Sequence, residues 1–386
     1  MGSAWQVREL HGHEGLAQLE PDWRRLVRAM GNAGFEHAFE THQAYFRHLS
    51  TSGGEFQLLV LTDNAGVQAI CPIESRQDTI FGRRTATWGL APAHAFAISL
   101  DWICAPGQAR RELLPRVLRH LAGRAGAPRW FFHDRVIEGS VIWQCLASLD
   151  AGAYCLRPNG ARDQIDCGRS FAETAAGFSA KHRRNVAAAH RHLARMGEAR
   201  FECASTPDEL DRAFETFVEL EAKGWKGSGS NRGALRFHSD QHAFYRELVG
   251  KLGAQGRCEI STIKVDGRCI AALLAFRNGA EWAALKVCYD ERESRASPGI
   301  LVMQAAVERC CASPDIQRLD LVSHRDWLSG WRPRVMPAHT LYLALHRATA
   351  PLWLGLLRLR LDHGPAARQW LRRFAPAGRA PAEGAA

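Results

Sequence analysis

Apolar and polar positions along the chain fall into two successive series of the same order. In the first, FQLLVLT (residues 56–62) and VQAICPIE (residues 67–74) flank Asp63-Asn64-Ala65-Gly66, which predicts a β-hairpin. Extended runs follow at residues 85–90 and 98–104, then a helix at 108–123 and the short strand RWFFHD at 129–134. In the second series, CEISTIKV (residues 258–265) and RCIAALLAF (residues 268–276) flank Asp266-Gly267. Arg277-Asn278-Gly279-Ala280 then turns the chain into EWAALKVCY, residues 281–289. A loop, a helix over residues 298–312 and RLDLV at 318–322 complete the series. A strand meander followed by a helix and a further strand, met twice, predicts an α+β protein of two like halves with separate cores. No residue-level repeat accompanies the repeated order.

Helix starts are marked most clearly between the two series. Ser170-Phe171-Ala172-Glu173 and Thr206-Pro207-Asp208-Glu209 both fit the capping box, the second with proline at the first helical position. Ser179 is placed to cap a third helix that stops by Gly197. Pro158, Asn159 and Gly160 interrupt the pattern, which sets a boundary within residues 157–165. The expected organisation is a first domain over residues 1–160, a second over 161–347, and a basic amphipathic tail over 348–386.

With 386 residues, 46% of them hydrophobic and 23% charged, the chain is long enough for two folded domains. Residues 1–10 have no apolar segment of the signal-peptide kind, and Gln6 stands where a myristoylation sequence needs Ser or Thr. No apolar run reaches the length of a membrane span, so a cytoplasmic location is expected. The eleven cysteines include no C-x-x-C pair, and Cys310-Cys311 are adjacent, a poor geometry for one tetrahedral site. They read as buried reduced thiols, and no metal is expected. The net charge of +10 is concentrated at residues 181–200 and 358–373. The apolar, aromatic and basic segment PLWLGLLRLRL with ARQWLRRF is suited to lying on the inner membrane surface or to packing on its own protein. There is no phosphate-binding Walker loop, no H-E-x-x-H and no dinucleotide-binding glycine fingerprint.

Several residues carry candidate chemistry. Leu210, Phe214, Phe217 and Glu221 share one helix face, so Glu221 ends an apolar stripe. Desolvation there is expected to raise its pKa toward the range of a general base; the alternative is a carboxylate paired with Lys223 or Lys226. Gly224-Trp225-Lys226-Gly227 follows as a turn carrying an aromatic and a cation. Ser297-Pro298-Gly299 reads as the start of a helix whose free N–H groups suit a pyrophosphate, with Arg292 and Arg295 adding charge. Lys286, inside an apolar strand, needs a partner, and Asp290 or Asp320 is expected to supply it. Asp320 is mid-strand and His324 lies just beyond. Lys181, Arg184 and Asn185 open the basic central helix and suit an anionic substrate.

KHRRN (residues 181–185), FVELEAKGWKG (217–227), LKVCYDERESRASPGILV (285–302) and the stretch from RLDLV to Trp331 recur in an order and spacing that resembles the CelD/BcsL-type acetyltransferases. These are a branch of the GNAT superfamily, related in architecture to the Fem peptidyltransferases. The resemblance covers about residues 165–345. It implies two tandem GNAT-like domains, each a mixed β-sheet flanked by helices, the first of them degenerate. It also implies an acyl-CoA (acetyl-CoA) donor and an amine acceptor, such as an amino sugar or another glycan or envelope precursor. The donor's phosphates would lie at Arg295, Ser297, Pro298 and Gly299, although the usual Q/R-x-x-G-x-G/A loop is absent. Glu221, Asp290 or Asp320 would take the amine's proton, with Lys181, Arg184, Asn185, Trp225, Lys226 and Lys286 around the substrates. A strand N–H would stabilise the oxyanion, without a covalent enzyme intermediate. Two other readings stay open: a Fem-like transferase using aminoacyl-tRNA, the one case in which nucleic acid is expected, and a non-catalytic module in polysaccharide assembly.

Overall fold

The computed structural model describes residues 5–50, 52, 55–80, 83–90, 100–124, 128–150, 152–224, 226–227, 233–345 and 350–359. The first half runs β1 (Gln6–His11), α1 (Gly12–Gln18), α2 (Glu20–Met30), α3 (Phe39–His48), β2 (Phe56–Asp63), β3 (Gly66–Ile80) and β4 (Arg83–Gly89). It continues through β5 (Ile103–Cys104), α4 (Gln108–Ala122), β6 (Trp130–Ile137), α5 (Val141–Cys145) and β7 (Tyr154–Asp166). The second half runs α6 (Phe171–Ala176), α7 (Ala180–Leu193), β8 (Ala199–Ala204), α8 (Pro207–Lys223), α9 (Ser239–Gly253), β9 (Cys258–Val265) and β10 (Arg268–Asn278). It ends with β11 (Glu281–Tyr289), α10 (Pro298–Ala312), β12 (Arg318–Asp320) and β13 (Arg334–Ala344).

The local signals work as their chemistry predicts. Ser170 and Thr206 form capping boxes with Glu173 and Glu209, and the Ser179 side chain accepts from the His182 N–H. The meander pairs antiparallel in the order β9-β10-β11. RLDLV forms a strand over only three residues, Arg318–Asp320, and the run expected at 98–104 is a strand only at Ile103–Cys104, residues 98–99 lying outside the described residues.

Among the described residues, all the strands join one mixed sheet in the order β1-β2-β3-β4-β6-β13-β7-β12-β11-β10-β9-β8, with β5 beside β3. In the first half β4 lies parallel to β6, and in the second β11 lies parallel to β12. The last strand of each half is exchanged. β7 follows the first half but pairs with β12, and β13 follows the second half but pairs with β6; the two lie antiparallel along the centre. The stretch around Pro158 is therefore a strand rather than a linker. Its N-terminal part extends past the three-residue β12, so the absent N–H of Pro158 interrupts no ladder on that side.

The expected separate cores are not what forms. One apolar cluster runs from Trp23, Phe56 and Phe131 of the first half to Phe214, Phe244 and Phe276 of the second. A second cluster, on the α7 and α10 side, is formed by the second half together with Ile165 of β7. Phe35 stacks on Phe276 at 5.4 Å, and Asn278 donates to the carbonyls of Ala33 and Gly34. Glu40 binds Arg24 from its own half at 2.7 Å and Arg257 from the other at 3.2 Å. The halves fuse because each one's outer face covers apolar surface of the other. All eleven cysteines are free thiols, eight of them buried.

Candidate functional site

The second half holds a gap in the sheet. β11 pairs with β12 only from Glu281–Arg318 to Ala283–Asp320; beyond that point the chain after Asp320 follows β7, and Leu321 N–H donates to Asp163 O at 2.8 Å. The edge of β11 from Ala284 to Tyr289 is left without a strand partner there. Its register against β10 jumps from Ala284 to Lys286, so Leu285 is bulged. On the other wall Val322 sits at φ +61°, a left-handed conformation rare for a β-branched residue. The Asp320 carboxylate holds it there, accepting the Val322 N–H at 2.6 Å. Such strain costs roughly 1–3 kcal/mol and persists where the surroundings over-determine it, most often at functional sites.

Past the end of β11, helix α10 starts at Pro298 as expected, but its cap differs from the expectation. Ser297 is left-handed at φ +44° and makes no side-chain cap, so the serine serves as the turn and leaves the first N–H groups uncapped by a side chain. Gly299 lies close to Tyr289: a Cβ there would come within 3.1 Å of the ring. Arg295 is exposed on the preceding turn. Helix α7 packs beside that turn, with Lys181, Arg184 and Asn185 exposed. Trp225 lies outside the described residues.

Glu221 is buried, and the sequence correctly placed it inward. Its carboxylate accepts from Lys286 Nζ at 2.9 Å, Lys226 Nζ at 3.0 Å and the Leu235 N–H at 2.9 Å. Here the expected raised pKa is wrong: burial pushes it up, but the two ammonium groups and the N–H outweigh burial and hold the carboxyl below its ordinary value. Lys286 is thereby paired with Glu221 rather than with Asp290 or Asp320, and its ammonium lies 5.6 Å from the centre of the Tyr245 ring. Lys226 also reaches the Val287 carbonyl at 3.3 Å. Lys223 pairs instead with Glu219 at the surface. A Cβ on Gly227 would overlap the Ala222 carbonyl, so the turn after α8 does need glycine there for close approach. Asp290 caps the turn after β11, bound by Arg292 and by Arg268 at 2.6 Å, and these cations lower its pKa.

At the foot of the gap a second charged group gathers that the sequence reading did not assemble. Arg162 of β7 binds Glu36 at 3.0 Å and Asp320 at 3.1 Å. Glu281 accepts from Arg318 Nε at 3.1 Å and from Gln164 at 3.2 Å. Burial, with Asp320 and Glu36 nearby, pushes the Glu281 carboxyl up to about 7, and burial raises Asp320 as well. A charged residue opening the apolar strand EWAALKVCY was the available signal for Glu281. Arg162 and Gln164 gave none, because they sit in the segment read as a boundary. His324 joins Asp163 at 2.8 Å on the opposite face of the sheet.

In the first half the same chain continues along the β3 edge beyond β4 and is tied to β6 by side chains. β5 returns to pair with β3, the His133 ring donates to the Leu100 carbonyl, and Asp101 accepts the first N–H groups of α5 from Val141 and Ile142. A Cβ on Gly89 would overlap the Phe132 carbonyl, which brings β4 hard against β6. Among the described residues no group of three or more His, Cys, Asp or Glu is placed to hold a metal ion. No described helix is long and apolar enough to cross a membrane.

A parallel pair of strands parting around a bulge, with a helix start beyond it, is the arrangement of the GNAT fold. Residues 180–327 match the family model of the acetyltransferase (GNAT) domain. No curated protein was found to match the chain. Solved structures are similar in fold at low identity. The C-terminal domain of a protein described as a lysylphosphatidylglycerol synthetase, from Agrobacterium fabrum, has a TM-score of 0.51 at 10% identity, with 88% of this chain and 96% of that chain covered. A conserved protein of unknown function from Bacteroides thetaiotaomicron has 0.56 at 10% identity, covering 84% and 97%. FemX has 0.52 at 11% identity, covering 77% and 90%. The chain therefore shares the fold of these structures, and residues 180–327 of its second half match the acetyltransferase (GNAT) domain.

Proposed function

We propose that the protein transfers an acyl group from an acyl-CoA to an amine acceptor at the gap between β11 and β12. The observation that carries this reading is the edge of β11, which stays unpaired beyond Ala283 and ends at a helix start, whereas in the first half the His133 ring of β6 reaches the Leu100 carbonyl. The thioester arm would lie along that edge, its phosphates at Ser297–Gly299 with Arg295 alongside and Lys181, Arg184 and Asn185 of α7 near by. A backbone N–H at the Leu285 bulge would donate to the thioester oxygen as it gains charge. Glu221 acts by holding the Lys286 and Lys226 ammonium groups beside the reacting carbonyl rather than by accepting a proton. The proton acceptor belongs to the carboxylates at the foot of the gap, Glu281 and Asp320, and Asp290 fixes the turn before α10. The acceptor is a small molecule or a glycan precursor. The helix at residues 350–359 turns Leu352, Leu356 and Leu359 outward, which supports contact with a membrane surface.

Calorimetry with acetyl-CoA tests the donor. Gly299→Asp should weaken binding at least tenfold, about 1.4 kcal/mol, by placing a negative charge where phosphates approach. Gly299→Ala adds a comparable Cβ against Tyr289 without the charge and should weaken it far less. Equal effects of the two variants would remove the phosphates from this helix start. Stabilisation of the fold by aminoacyl-tRNA and not by acetyl-CoA would favour the Fem-like reading instead.

A further inference from the structure

A cavity of about 490 Å³ lies between the two halves, at the foot of the gap. Glu36 and His37 of the first half, Arg162 and Gln164 of β7, and Glu281 and Arg318 of the second half line it. Their charges do not balance. Glu36, Glu281 and Asp320 bring three carboxylates within reach of two guanidinium groups, Arg162 and Arg318. His37 lies 3.9 Å from Glu36 and 3.1 Å from Asp101, so it brings a fourth carboxylate with it and leaves the imbalance unchanged. One oxygen of Glu281, Oε2, takes the donors of Arg318 and Gln164. The other, Oε1, is buried without a partner. It occupies room that only a glycine at position 34 leaves: a Cβ there would overlap Oε1 and crowd Glu36 Oε2 as well. Two carboxylate oxygens thus converge on one bare backbone face, short of one positive charge and its hydrogen-bond donors. Toward the other end of the cavity the surplus is positive. Arg110 has a buried Nε with no partner, and Arg334 is exposed on β13.

We propose that this cavity binds the acceptor, a primary amine that also carries an anionic group, with its ammonium at the Glu36 and Glu281 carboxylates and its anion toward Arg110 and Arg334. The proposal rests on the acyl-transfer reading and supplies its acceptor class. The ammonium meets the missing positive charge, and Glu281 takes one of its protons, leaving the nitrogen with a free lone pair. That pair forms the bond to the thioester carbonyl carbon; the carbon–sulfur bond breaks, and the departing thiolate takes the second proton. Glu281 returns its own proton to water. Glu281 opens the paired stretch of β11 and β12, about 7 Å along the strand before the point beyond Ala283 where the two part. The groups that face it and set its proton affinity are Asp320 and Arg318 of β12, Arg162 and Gln164 of β7, and Glu36 of the turn Phe35–His37.

The test is calorimetry on the full chain with glucosamine 6-phosphate as the probe and glucose 6-phosphate, which lacks only the amine, as its control. The amine should bind at least tenfold more tightly, and Glu281→Gln should abolish that preference. Glu281→Asp, which keeps the charge on a shorter arm, should retain part of it. Arg110→Gln should weaken both sugars alike. Equal affinities, no binding of either sugar, or a preference that survives in Glu281→Gln would overturn the assignment. Acetyl-CoA titrated in parallel separates the two readings. If acetyl-CoA binds and the amine preference is absent, the cavity proposal fails alone; if the preference is present and acetyl-CoA does not bind, the donor reading fails.

Discussion

Replacing Glu221 with glutamine should destabilise the protein substantially, because that carboxylate neutralises buried lysine charge. Its side chain is 0% exposed and Lys286 is 9% exposed, whereas Lys226 at 22% retains some access to water. Glutamine keeps an oxygen for the Leu235 N–H but loses the charge, and its amide presents donors where two ammonium groups already stand. Breaking a buried ion pair by removing one partner costs about 3–5 kcal/mol. Most of that falls on Lys286, since Lys226 can turn outward. With roughly 2.1 cal/mol/K of unfolding entropy per residue, a chain of 386 residues changes by about 0.8 kcal/mol per degree. The melting temperature should therefore fall by about 4–6 °C. Calorimetric melts of Glu221→Gln, Lys286→Met and the double variant measure this directly. The double variant should recover most of the loss, because it leaves no unpaired ammonium. The pH dependence has a definite sign: the folded carboxyl is held below its ordinary value of 4.5, so its stabilisation is present above that pH. It is lost as the pH falls through the lower folded value, and the glutamine variant should lack that acid-side loss. A single variant that melts within a degree of the wild type, with no recovery in the double, would refute this account of the cluster.

Glu281 should behave in the opposite sense. Its carboxyl rises from 4.5 to about 7 on folding, so its penalty appears as the pH climbs through that window, reaching about 3 kcal/mol above it. The wild type should lose stability between pH 5 and 8 relative to Glu281→Gln, and parallel melting profiles for the two would contradict the charge imbalance. The exchange of β7 and β13 predicts that residues 1–166 and 167–386, expressed separately, give no cooperative melt, and that mixing them restores one. Two independently folded halves would overturn the shared core.

The order of the elements was legible in the sequence because it is set by local chemistry. Asp266-Gly267 and Asn278-Gly279 supply the turns of the meander, Thr206 and Glu209 cap α8, and the spacing of Leu210, Phe214 and Phe217 turns Glu221 inward. Each of these depends on residues a few positions apart. What lies across the sheet was not legible. That Glu221 would meet two lysines, and so hold a lowered rather than a raised pKa, depends on Lys286, sixty-five positions away. The Pro158-Asn159-Gly160 stretch looks like a linker because its propensities are those of a turn. It becomes a strand because β13 runs antiparallel along it, and that pairing outweighs local preference. Glu36, Arg162, Glu281 and Asp320 come from four separate segments, and only the fusion of the two halves around the exchanged strands brings them into one charged cluster. Electrostatics follows distance in space, and distance in space is what the sequence leaves to the fold.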